Sequence, residues 1–293
     1  MTALRKAIDL TGSQAVRALI LAASIVAWSA TATAAIPSAS LGAAQLAPGE
    51  AIAIEQASRR GALIYAYDQA AWHATDDMRT KITDPASVLG GWIVDGPPEA
   101  PELIFFDKDE DDPKAVYLAR FRDNQLVSSQ LLGPKDDRAL NDLRKRMIKA
   151  LATAKSTFAA SRKPLCSNQP FNSVVLPPEK PDGPILVYLL TPQTSLQSVP
   201  FGGHHLVTVA NDGKAGTMRD FTKTCIEMPL RDDDGRKPAG LVITHLLDPT
   251  PTEIHVFTSL TTRMPIFVST TQNDKLWSVE GTRIRPVDRK PAR

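Results

Sequence analysis

One amphipathic helix set among short strand-like runs constrains this chain most. Leu140, Leu143, Met147, Leu151, Ala154 and Phe158 step by 3, 4, 4, 3 and 4 residues, which places all six on one face of an α-helix. Lys and Arg fill the opposite face, and Asp136 and Asp137 precede the first turn, where negative charge suits the helix dipole. A helix with one apolar stripe must cover another layer. The layer it covers is read from the strands on either side.

Upstream, Trp92-Ile93-Val94 ends at Asp95-Gly96-Pro97-Pro98, and Leu103-Ile104-Phe105-Phe106 ends at an acidic turn. Ala115-Val116-Tyr117-Leu118 leads to Asp123-Asn124, and Leu126-Val127 begins a further strand. Downstream, 185–190 is a continuous apolar run, and His205, Val207 and Val209 alternate before the turn Asn211-Asp212-Gly213. Further strands are expected over 215–224, 241–247, 253–260, 265–270 and 276–284. The fold class is therefore α+β: mostly antiparallel sheet with one long amphipathic helix. It divides into an N-terminal α+β region (35–160) and a mainly-β C-terminal region (161–293). Between Pro48 and Gly61 a helix is expected, begun by the proline and ended by the glycine. Leu63, Tyr65 and Tyr67 then alternate as a strand would, while Leu63, Tyr67, Ala71, Ala74 and Met78 also suit a helix. A strand running into a helical turn is preferred.

The first 34 residues read as a secretory signal peptide. Arg5, Lys6 and Arg17 precede an apolar run from Ala18 to Trp28, and Ala32 and Ala34 fit the A-x-A cleavage pattern. That run is well short of the ~20 residues of a stable membrane span. No twin-arginine pair is present in these 34 residues, and no cysteine lies near the cleavage region. Removing Arg5, Lys6, Arg17 and Asp9 takes 34 basic and 32 acidic residues to 31 of each. A neutral chain has no general field for nucleic acid or anionic lipid. Neither a nucleic-acid partner nor stable membrane insertion after cleavage is expected. A periplasmic or secreted location also suits the two cysteines, Cys166 and Cys225, which are expected to form a structural disulfide. The basic tail of Arg283, Arg285, Arg289, Lys290 and Arg293 reads as a solvated terminus.

Chemistry is thinly signalled. The run Asp107-Lys108-Asp109-Glu110-Asp111-Asp112 opens like a calcium loop but lacks the glycine and the closing glutamate, so it reads as a hairpin tip, as does Asp232-Asp233-Asp234-Gly235. There is no G-x-S-x-G elbow, and Gly202-Gly203 has no phosphate-loop frame. That pair is expected to turn the backbone sharply into a strand. Strand alternation places His205 and His245 on core faces and turns His204 outward. The same alternation puts Glu253 and His255 together on an outer face. His204, Glu253 and His255 are thus the best-formed metal-ligand candidates, and with zinc they would support hydrolysis. The aromatic cluster Tyr65, Tyr67, Trp72 and His73 is expected to pack against the long helix rather than to line a ligand groove.

Two segments resemble a group of exported bacterial proteins of unknown function. One is 61–76, Gly-Ala-Leu-Ile-Tyr-Ala-Tyr-Asp-Gln-Ala-Ala-Trp-His-Ala-Thr-Asp; the other runs from Pro200-Phe201-Gly202-Gly203-His204 through Phe221-Thr222-Lys223-Thr224-Cys225 to 244–255. The resemblance implies no activity and no site. The function expected is a soluble exported protein that binds or scaffolds without catalysis or cofactor; the alternative is a metal-assisted hydrolase on His204, Glu253 and His255.

Overall fold

The computed structural model describes residues 46–232 and 234–288. The 34 residues read as a signal peptide, the Ala/Ser-rich stretch that follows them as far as Gln45, Asp233 and the tail from Arg289 lie outside the described residues. Helix α1 (Pro48–Arg79) is followed by one turn of helix, α2 (Pro85–Val88), and by the strands β1 (Leu89–Asp95), β2 (Glu102–Asp107), β3 (Ala115–Arg122) and β4 (Gln125–Leu131). These four pair in sequence order as an antiparallel meander. Helix α3 (Asp142–Ser161) is the long amphipathic helix; Asn141 caps it, its side chain accepting from the Arg144 N–H at 2.9 Å.

The next sheet is also antiparallel, with β5 (Asn172–Leu176), β6 (Ile185–Leu190), β8 (His205–Val209) and β9 (Ala215–Asp220) in that order. A ribbon of β7 (Ser198–Pro200) and β10 (Glu227–Pro229) stands beside it. The last sheet holds β11 (Leu241–His245), β12 (Ile266–Thr270), β13 (Lys275–Glu280) and β14 (Arg283–Pro286). There β11 and β12 run parallel, joined through helix α4 (Glu253–Thr262).

Alternation along the strands divides the interior. Val94, Leu103, Phe105, Tyr117, Val174, Tyr188 and Leu206 pack with Ile64, Tyr67, Ala70 and Ala74 of α1. Ile93, Ile104, Phe106, Val175, Val187 and Val207 pack with Met147, Ala150, Leu151 and Phe158 of α3. The meander and the β5–β9 sheet thus share α1 on one face and α3 on the other, and both sequence regions contribute to both cores. A third core joins Ile54 and Ala57 of α1 to Val256 of α4 and to Ile266, Val268, Trp277 and Val279. The described residues fall in one compact unit, Ala44–Arg293.

The expected disulfide is present: Cys166 and Cys225 are bonded, closing a loop of 59 positions. Gly203, at φ +76°, turns the chain into β8 beneath it, and a Cβ there would stand 2.4 Å from the Cys166 sulfur. Two expected strands prove to be helix. The helix that starts at Pro48 continues through Gly61 to Arg79, so 63–67 is its middle. Ile64, Ala66, Tyr67 and Ala70 are all buried there, so the stretch is apolar on several sides and carries no clear period. Residues 253–262 are helical because Pro251 and the N-cap Thr252 start a helix that Arg263, in the left-handed region at φ 53°, and Pro265 end.

Candidate functional site

The helix at 253–262 dismantles the expected metal-ligand set. Positions two apart on a helix point ~200° from one another, so Glu253 and His255 diverge. The Glu253 carboxylate accepts a 2.8 Å hydrogen bond from the buried Tyr188 hydroxyl. Nδ1 of His255 accepts from the Thr252 backbone N–H at 3.0 Å, filling the place a glutamate takes in a capping box. His204 does not face outward: it is buried, with Nδ1 accepting from the Thr191 N–H and Nε2 on the Pro200 carbonyl, both at 3.1 Å. Burial pushes its pKa down to about 4 and that of His255 to about 3, the latter with help from the nearby His245. Among the described residues no group of three His, Cys, Asp or Glu side chains could hold a metal ion.

His255 belongs instead to a polar knot. Its ring meets His245 edge-on at 4.8 Å, and His245 Nε2 lies 2.8 Å from Asp248, which Arg219 grips through both oxygens at 2.9 Å. Burial works against the Asp248 charge, but the His245 hydrogen bond and the Arg219 charge hold its carboxyl below the usual range. Asp, His and the Thr252 hydroxyl, 3.0 Å from His255, are the parts of a nucleophilic site. Thr252 is only 4% exposed, however, and both histidines are buried, so no substrate reaches them. The knot ties β9, β11 and α4 together.

An accessible concavity lies elsewhere. A cleft of about 1180 Å³ runs along the second half of α1, with the segment from Ile82 to Trp92 on one side. Phe105, Asn172, Ser173, Thr261 and the loop 193–196 complete its lining. Gly90, beside the bulge that opens β1, lets its wall close up: a Cβ there would stand 2.3 Å from the Asp107 carbonyl oxygen. Gln193 steadies the opposite rim, its amide donating to the carbonyls of Ser195 and Ser198 at 2.9 and 2.8 Å. Leu196 tops that rim at 89% exposure.

The aromatic cluster of 65–73 divides: Trp72 lines this cleft, while Tyr67 packs in the core shared by α1 and the sheets. Tyr67 is buried with α1's core partners and donates a 2.7 Å hydrogen bond to the Gly96 carbonyl. Trp72 is 58% exposed, stacked on His73 at 4.8 Å, and lines the cleft. From the sheet, Trp92 and Phe105, edge-to-face with each other at 6.1 Å, complete the aromatic lining. The charged groups of the lining are Asp68, Asp76 and Arg79, all on α1. Asp68 keeps part of its surface open while protein crowds its other sides, and that burial raises its pKa to about 6. Asp68, Trp72 and Asp76 recur every four residues, a stripe on one helix face. Once 63–79 is helical the stripe is plain; read as a strand, it disappears.

Comparison of the chain with protein-family models, with curated proteins and with solved structures finds no match.

Proposed function

We propose that this chain is an exported binding protein without catalytic machinery, and that a small ligand seats in the cleft beside α1. The observation that carries the reading is the lining itself: aromatic walls from Trp72, Trp92 and Phe105 around a half-buried carboxylate, Asp68. Polar groups of Asn172, Ser173, Gln193 and Thr75 are distributed around it to orient what enters. Export is supported by the signal-like first 34 residues and by a disulfide that suits an oxidising compartment.

A thermal-shift screen of amino acids, amines, sugars and phosphorylated metabolites tests the binding half. Ligands that stabilise the protein but not an Ala71→Trp variant, whose cleft is filled, support it. Stabilisation that survives in Ala71→Trp, or none across the screen, overturns it. Export is tested by the intact mass of periplasmic protein, expected to lack residues 1–34; an uncut chain in the cytoplasmic fraction contradicts it.

A further inference from the structure

We propose that the ligand of the cleft is a small organic cation, an amine whose ammonium group pairs with Asp68 against the face of Trp72. This rests on the cleft being the binding site. Asp68 forms no ion pair among the described residues; the one polar contact bearing on its charge comes from the neighbouring Gln69. A carboxylate crowded by protein and left without a counter-charge is costly, and a bound cation removes that cost.

The surroundings favour a cation over other ligands. Trp72 follows Asp68 by one helical turn and offers an exposed indole, the best of the aromatic faces for a cation. Asp76 lies one turn further, so the stripe carries two carboxylates around one indole. The positive group of the lining, Arg79, stands eleven residues from Asp68, roughly 16 Å along the helix axis. That exceeds the ~8 Å Debye length at physiological salt, so Arg79 repels an ammonium at Asp68 only weakly. An anion seated on Trp72 would lie beside both carboxylates of the stripe and be repelled by them. A neutral ligand would leave Asp68 as it is.

Three probes of nearly one shape separate these cases: tyramine, 4-ethylphenol, which lacks the amine, and 4-hydroxyphenylacetate, which carries a carboxylate instead. Their dissociation constants are measured by saturation-transfer NMR at pH 7.5 on the disulfide-bonded protein, on Asp68→Asn and on Ala71→Trp. Tyramine is expected to bind about ten-fold more tightly than 4-ethylphenol, the scale of a charge-assisted hydrogen bond, with 4-hydroxyphenylacetate weakest. Asp68→Asn should erase the tyramine advantage and leave 4-ethylphenol unchanged. Equal binding of tyramine and 4-ethylphenol, abolished by Ala71→Trp, would overturn the cation assignment and keep the cleft. Binding that survives Ala71→Trp, or no binding by any probe, would overturn both.

Discussion

Gly61 of α1 lies directly against Val256 of α4: a Cβ built on the glycine would stand 2.5 Å from the valine Cβ and 2.7 Å from the Glu253 carbonyl oxygen. The glycine interrupts neither helix. It is the notch that lets their backbones approach, and the crossing holds the first half of α1 on the β11–β14 sheet. Gly61→Ala should therefore destabilise the protein by about 1–3 kcal/mol through overpacking, although alanine is the better helix former. Urea unfolding measures this; an unchanged or raised midpoint would show that the helices can separate without cost.

The Tyr188–Glu253 hydrogen bond should behave as a coupled pair. Both groups are buried, so Tyr188→Phe leaves the Glu253 carboxylate without its donor, and Glu253→Ala leaves the phenol without an acceptor. Each single change should cost about 1–3 kcal/mol and the double change less than their sum. Additive losses in a double-mutant cycle would mean that the contact contributes nothing of its own.

How far the sequence discloses this structure depends on how one-sided each element is. Helix α3 buries one stripe and leaves its Lys and Arg in water, so its period is plain. Helix α4 buries Ile254, His255, Val256, Thr258 and Ser259, and a helix buried on most sides shows no stripe. Ile254 and Val256 then pass for strand alternation, and the metal-ligand trio built on that alternation falls with it. What does mark the helix is local: Pro251 and Thr252 before it, Arg263 and Pro265 after it. The disulfide needed only the presence of two cysteines. The cleft was out of reach, because its walls come from residues as distant as Asp68, Phe105, Ser173, Leu196 and Thr261.

Stability should fall as the solution is acidified below neutrality. His204 and His255 are neutral in the fold, with pKa values near 4 and 3 against an ordinary 6.5. Between about pH 6.5 and those values the unfolded chain binds more protons, so stability is lost as pH falls through that window. Asp220 and Asp248, both held below their ordinary value, act in the same direction at lower pH. Asp68, raised to about 6, opposes them: its contribution is lost as pH rises from about 4 to 6. The histidines should dominate, so urea midpoints should drop from pH 7 to pH 4.5, and less steeply in His255→Gln. A flat profile would mean that these histidines are not buried neutral.

Reduction of Cys166–Cys225, or Cys166→Ser with Cys225→Ser, should cost about 2–4 kcal/mol, the loss in a chain-entropy view of a 59-position loop. Thermal unfolding with and without reductant checks this, and an unchanged midpoint would show that the crossing after α3 is held by packing alone.

Ligand affinity should itself depend on pH. Amine binding should weaken as pH falls below about 6, because Asp68 then takes up the proton that cancels its charge. Asp76 and Arg79 are the other titratable groups of the lining, and the dependence should persist in Asp76→Asn. A tyramine titration at pH 7.5 and pH 5 in the same salt reads the effect; equal affinities would remove Asp68 from the interaction.

The cleft is the centre of this account, and soaking crystals of the disulfide-bonded protein with a fragment library tests it most directly. Fragments should collect between Trp72 and Trp92, with amine-bearing ones placing nitrogen within hydrogen-bond distance of Asp68. Fragments scattered over the surface, with the cleft holding only water, would contradict the assignment of this protein as a binder of small ligands at α1.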